Sequence, residues 1–105
     1  MINLLIFSAL FLFQTLNAQG LDKAYNEKIK TCLNALYHDQ KDFFKRNGRY
    51  AAHVNQLHSS EREACYGVVL SLRRKSSQDF RITGVMGDSS ATMTSSMKLT
   101  WNKNP

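Results

Sequence analysis

The strongest constraint on the fold is the stretch from Leu21 to Asn47, which contains neither glycine nor proline and is followed by Gly48. Apolar side chains recur along it at helical intervals, at Tyr25, Ile29, Cys32, Leu33, Leu36, Tyr37, Phe43 and Phe44. This spacing predicts one long amphipathic helix, about 40 Å in length. Gly48 predicts the end of the helix, because glycine adopts the left-handed conformation of a C-terminal cap at little cost.

The polar face of this helix carries charges of both signs, at Lys23, Glu27, Lys28, Lys30, Asp39, Lys41 and Asp42. Some of them, such as Glu27 and Lys30, stand at helical contact spacing. We interpret the set as a solvated face and not as a binding site.

After a connecting loop over residues 48–63, the apolar pattern changes from helical to alternating. Tyr66, Val68, Leu70 and Leu72 would share one face of a first strand, and Phe80 and Ile82 one face of a second. We expect Arg73–Gln78 to form a basic turn between these two strands.

A small-residue loop is expected at Gly87–Ser96, and a last strand carries Met97, Leu99 and Trp101 on one face. The predicted fold class is therefore α+β, with one long N-terminal helix packed on a three- or four-stranded antiparallel sheet.

The junction between helix and loop has a distinctive sequence. The aromatic pair Phe43 and Phe44 is followed by Asn-Gly-Arg-Tyr and a short turn to Leu57, and we expect Tyr50 to fold back on one of the pair. This junction and the element order from Leu21 to Trp101 resemble type IV pilins and pseudopilins. The resemblance implies a pilin-like, non-catalytic domain that binds another envelope or secretion-system protein.

The first 18 residues contain no acidic or basic side chain, are almost wholly apolar from Ile2 to Phe13, and end at Ala18. This pattern predicts a secretory signal peptide at residues 1–18 and a globular domain at residues 19–105, in the periplasm or cell exterior. A retained membrane anchor is the less favoured alternative, because the apolar run is shorter than the roughly 20 residues of a membrane span.

The chain has two cysteines, Cys32 and Cys65. In the oxidising compartment that export would reach, such a pair is most simply one disulfide. Such a disulfide would stabilise the fold by roughly 3 to 4 kcal/mol, because it lowers the conformational entropy of the unfolded chain. This is a large share of the free energy of unfolding of a domain this small. The alternative, a catalytic or metal-bound thiol, is disfavoured because the cysteines are not closely spaced.

The sequence offers little for catalysis. His38, His53 and His58 do not have the spacing of a helical zinc pair or a zinc finger, and Asp39 and Asp42 stand among lysines on a polar helical face. Nucleophile-elbow, phosphate-binding-loop and dinucleotide-binding glycine motifs do not occur. We therefore expect neither an enzyme, nor a metal site, nor a cofactor, nor a small-molecule substrate.

The net charge of +6 is the remaining functional hint. Residues 66–105 hold six basic side chains against two acidic ones. Within this part of the chain, a candidate binding patch is formed by Arg73, Arg74, Lys75 and Arg81. Its partners could be an envelope protein, an anionic surface or DNA. The alternative is that these residues only form a solvated basic surface with no binding role.

Overall fold

The computed structural model describes the backbone of residues 2–102 and the side chains of residues 22–102. One helix, α1, spans Ile2–Asn47, and four strands follow: β1 (Val69–Ser76), β2 (Asp79–Met86), β3 (Ser89–Thr94) and β4 (Leu99–Trp101). The α+β prediction is confirmed. The predicted signal peptide, residues 1–18, lies outside the described side chains. Within residues 22–102, no helix is both long and apolar enough to cross a bilayer.

The four strands form one antiparallel sheet in the order β1-β2-β3-β4. Strand β3 lies within Gly87–Ser96, where the sequence predicted a loop, so that prediction was wrong. In β3 the side chains of Ala91 and Met93 are buried, whereas Thr92 and Thr94 are half-buried on the opposite side. The alternation is present, but small and polar side chains carry it.

The turn predicted at Arg73–Gln78 was also wrong. Strand β1 continues to Ser76, and only Ser77 and Gln78 connect it to β2. The register shifts between Arg74 and Ser76, where Lys75 is an extra residue in β1. Because β1 is an edge strand, charged side chains along it are compatible with strand structure and discourage pairing with another sheet.

The core lies between α1 and one face of the sheet. Ile29, Leu33 and Leu36 of the helix are fully buried, as are Phe80 and Ile82 of β2. Gly84 allows the helix to approach the sheet closely, since a Cβ there would lie 3.0 Å from Val68 Cγ1 and 3.4 Å from Leu33 Cδ2. This close packing covers one face of the sheet.

A disulfide joins Cys32 of α1 to Cys65, with 4.7 Å between their Cα atoms, as the sequence predicted. Cys65 ends a 3₁₀ turn at Glu63–Cys65 and therefore does not belong to β1. Gly67, at a φ of 82°, separates this turn from the strand. Tyr66, which was expected to share a strand face with Val68 and Leu70, is 61% exposed because it precedes the start of the alternation.

The last strand is shorter than predicted. It contains Leu99 and Trp101, whereas Met97 lies in the turn before it with a φ of 64° and is 53% exposed. Met97 N–H donates to the carbonyl of Thr94, which closes that turn.

Candidate binding surface

The face of the sheet opposite α1 is the candidate functional surface, and we call it the outer face. It is defined by the alternate positions of the strands that do not enter the core: Val69, Ser71, Arg73, Arg81, Thr83, Val85, Ser90, Thr92, Thr94 and Thr100. In the part of the chain with described side chains, the elements that pack on the sheet lie on the other face. The outer face is therefore open to a partner.

The strand register arranges the outer face in rows that cross the sheet. Val69 lies opposite Val85, Ser71 opposite Thr83, and Arg73 opposite Arg81. The middle row continues through β3 and β4, since Thr83 pairs with Thr92 and Thr92 with Thr100. An apolar row, a hydroxyl row and a basic row thus lie side by side.

The basic row places two guanidinium groups on directly opposed residues, Arg73 and Arg81, and both side chains are exposed. Like charges in this position destabilise a sheet. An open groove of about 450 Å³ beside them is lined by Ser71, Leu72, Arg73, Arg81, Thr83 and Thr92. None of these lining residues is acidic, so the groove has a positive potential.

The hydroxyl row is hydrogen-bonded across the strands. The Oγ1 atoms of Thr83 and Thr92 are 2.9 Å apart, and Asn102 Nδ2 donates to Thr92 Oγ1 at 3.3 Å and to Ser90 Oγ at 3.2 Å. These contacts hold the threonine side chains in place next to the arginines.

The apolar row consists of Val69 and Val85 at the opposite side of the hydroxyl row from the arginines. Val69 is 70% exposed and Val85 is 37% exposed. The two valines are directly opposed across β1 and β2, so their methyl groups form one small apolar surface.

The structure brings only part of the predicted patch together. Arg74 points away from Arg73, and its Nη1 donates to the carbonyl oxygen of Tyr50 at 3.0 Å. Lys75 is exposed at the register shift of β1. Arg73 and Arg81 therefore form the patch, whereas Arg74 ties β1 to the loop after the helix.

The junction residues contact one another at the end of α1. Gly48 has a φ of 72°, and its N–H donates to the Phe44 carbonyl at 2.7 Å, which caps the helix. The buried ring of Tyr50 lies 4.8 Å from that of Phe44 and 4.6 Å from that of Phe80, while Phe43 packs at the margin of the core. Tyr50 thus connects the end of α1 to the beginning of β2.

Lys41 was placed by the sequence on the solvated face, but the structure gives it specific contacts. Its Nζ donates to Tyr50 Oη at 2.7 Å and to the Ser95 carbonyl at 3.2 Å, and lies 5.2 Å from the ring centre of Tyr37. The hydrogen bond to Tyr50 raises the pKa of Lys41 above its ordinary value, and partial desolvation opposes this effect.

Gln40 is a structural residue that the sequence analysis did not identify. Its side chain is fully buried, and its amide bonds both backbone groups of Ala51: Nε2 donates to the carbonyl at 3.0 Å and Oε1 accepts from the N–H at 2.7 Å. The signal that could have revealed it is its position. Gln40 stands four residues after Leu36 and four before Phe44, in line with the apolar stripe.

His58 and Asp39 lie on one side of the molecule, in the loop after α1 and near the end of α1. Asp39 accepts a hydrogen bond from the Ser59 N–H at 2.6 Å, and His58 lines a wide polar cleft nearby. Among the described residues, no group of three His, Cys, Asp or Glu side chains is arranged to hold a metal ion.

Comparisons with known proteins do not assign the chain to a family. No family model matches it, and neither the curated proteins nor the solved structures gave a match.

Proposed function

We propose that the protein is an exported, non-catalytic, pilin-like module that associates with the cell envelope through the outer face of its sheet. The observation that carries this proposal is the contrast between a face packed on α1 and an open face. The open face combines the opposed arginines Arg73 and Arg81 with the exposed pair Val69 and Val85. Guanidinium, hydroxyl and methyl groups are suited to holding a partner.

Export is supported by the buried Cys32–Cys65 disulfide, because disulfides form and persist in oxidising compartments. Removal of residues 1–18 belongs to the same proposal. Mass spectrometry of secreted protein should find Gln19 as the first residue, and material that still begins at Met1 would contradict cleavage.

DNA binding is the second candidate, and the opposed pair Arg73 and Arg81 favours it together with the net charge of +6. Phosphate contacts would make the affinity fall steeply as salt rises. Against this candidate, the rows of the outer face hold no aromatic side chain on which a base could stack.

The test of envelope association is binding of the purified, disulfide-bonded protein to an envelope fraction. We expect Arg73→Glu with Arg81→Glu to lose binding while the protein stays folded. Lys23→Glu with Lys30→Glu is the matched control, since it makes the same charge change at exposed positions of α1. If wild type, variant and control all bind equally, the outer face is not the contact surface.

A further inference from the structure

We infer that the outer face binds the phosphate group of an anionic lipid headgroup, with Arg73 and Arg81 as the charged ligands and the hydroxyl row as a neutral donor. This inference rests on the proposed envelope association and names its chemistry.

The first step concerns the two arginines. A guanidinium is a planar fork of N–H donors that matches the spacing of phosphate oxygens, and two forks can share one oxyanion. Because Arg73 and Arg81 are directly opposed, an oxyanion between them would replace their mutual repulsion with two attractions. An unliganded sheet gains nothing from this pairing of like charges.

The second step concerns the hydroxyl row. The contact between the Thr83 and Thr92 hydroxyls uses one O–H proton, and Asn102 donates a further hydrogen bond to Thr92. One threonine O–H therefore remains to donate, whichever hydroxyl is the donor in the contact. Thr83 and Arg81 are two positions apart on the same face of β2 and line the same groove, so this donor lies beside the guanidinium groups.

The third step distinguishes a lipid from a free phosphate or a nucleic acid. Val69 and Val85 lie on the far side of the hydroxyl row, exposed on the same face as the arginines. A lipid headgroup layer offers phosphate oxygens close to apolar acyl carbons, whereas a soluble phosphate offers no apolar surface. Exposed valines beside phosphate-binding groups thus match a lipid surface in chemistry.

The experiment measures binding of the intact protein to phosphatidylcholine vesicles with and without phosphatidylglycerol. We expect binding only to the anionic vesicles. Arg73→Gln with Arg81→Gln should reduce the affinity about 25-fold, at roughly fivefold per cationic residue. Thr83→Val, which removes the hydroxyl at constant size, should lose a smaller factor. Val69→Asp should also weaken vesicle binding.

Two controls separate this site from bulk charge. Lys23→Gln with Lys30→Gln removes the same net charge from α1 and should bind vesicles like the wild type. Arg73→Lys with Arg81→Lys keeps the charge but loses the forks, so its binding should be intermediate. Equal losses in the α1 control, or full binding by the lysine variant, would overturn the inference.

Further binding measurements identify which molecule supplies the phosphate group. Inorganic phosphate that competes with vesicles supports a site that recognises the oxyanion itself. If the protein binds inorganic phosphate but no vesicles, the ligand is not a lipid and the inference is overturned. The inference is also overturned if the protein binds duplex DNA but no vesicles and the glutamine variant loses DNA binding. Envelope binding in the absence of any vesicle binding removes this inference and leaves the proposed function standing.

Discussion

The two faces of this small sheet differ in almost every physical respect. The inner face buries Phe80, Ile82 and Met93 against a helix that a disulfide joins to the turn before the sheet. The outer face exposes Val69 and opposes two arginines. Neighbouring residues of one strand therefore belong to different environments: changes on the inner face should reduce stability, and changes on the outer face should reduce binding.

A large effect on the inner side is expected from the disulfide. Replacing Cys32 and Cys65 together by alanine should lower the free energy of unfolding by about 3 to 4 kcal/mol, because the unfolded chain is no longer constrained. Denaturant unfolding under oxidising conditions measures this, and reduction of the wild type should have a similar effect. If the variant unfolds at the wild-type denaturant concentration, the bond does not brace the core.

The next effect concerns Tyr50, whose ring contacts Phe44 and Phe80. Tyr50→Ala should cost about 2 to 4 kcal/mol, as truncation of a buried aromatic residue leaves a cavity. Tyr50→Phe is the matched variant, since it keeps the ring and loses only the hydrogen bond from Lys41. It should lower the free energy of unfolding by about 0.5 to 1.5 kcal/mol. A melting temperature unchanged by the alanine substitution would place Tyr50 outside the core.

Gln40 tests whether the stability of the core depends on buried hydrogen bonds as well as on apolar packing. Gln40→Leu should lower the free energy of unfolding by about 1 to 3 kcal/mol, because it leaves the N–H and carbonyl of Ala51 without their partner. Chemical denaturation of the variant measures this loss. Stability at or above that of the wild type would show that water replaces the amide.

The smallest effect is a pH dependence at Lys41. Its pKa in the folded protein is raised, so its contribution to stability is fully present below its ordinary value of 10.5 and is lost as pH rises through the higher folded pKa. The difference in unfolding free energy between wild type and Lys41→Met should therefore be constant from about pH 6 to 9 and shrink above the ordinary pKa. A difference that changes between pH 6 and 9 would contradict this contact.

The parts of the fold that follow local rules could be predicted from the sequence. The stripe through Ile29, Leu33 and Leu36 indicated the helix, Gly48 its end, and Phe80 with Ile82 a half-buried strand. Each signal is a repeat or a backbone preference that acts over a few residues. Strand β3 was missed because Ala91 and Met93 alternate with threonines, and such small polar composition is also typical of loops.

The candidate site was less predictable, because it depends on register. The basic run from Arg73 to Lys75 was visible, but its division between two faces follows from β1 extending to Ser76. The hydrogen bond from Arg74 to Tyr50 joins residues that are distant in the chain, and no local pattern indicates it. The row formed by Ser71, Thr83 and Thr92 likewise exists only once three strands are aligned.

The division of roles between the two faces is tested most directly by two neighbouring residues of β2, Arg81 on the outer face and Ile82 in the core. The measurement is the free energy of unfolding and the envelope binding of Arg81→Glu and Ile82→Ala, side by side. We expect Arg81→Glu to lose binding at nearly unchanged stability. Ile82→Ala should lose about 2 to 5 kcal/mol, while its folded fraction binds like the wild type. Wild-type binding by Arg81→Glu, or loss of binding by folded Ile82→Ala, would contradict the account.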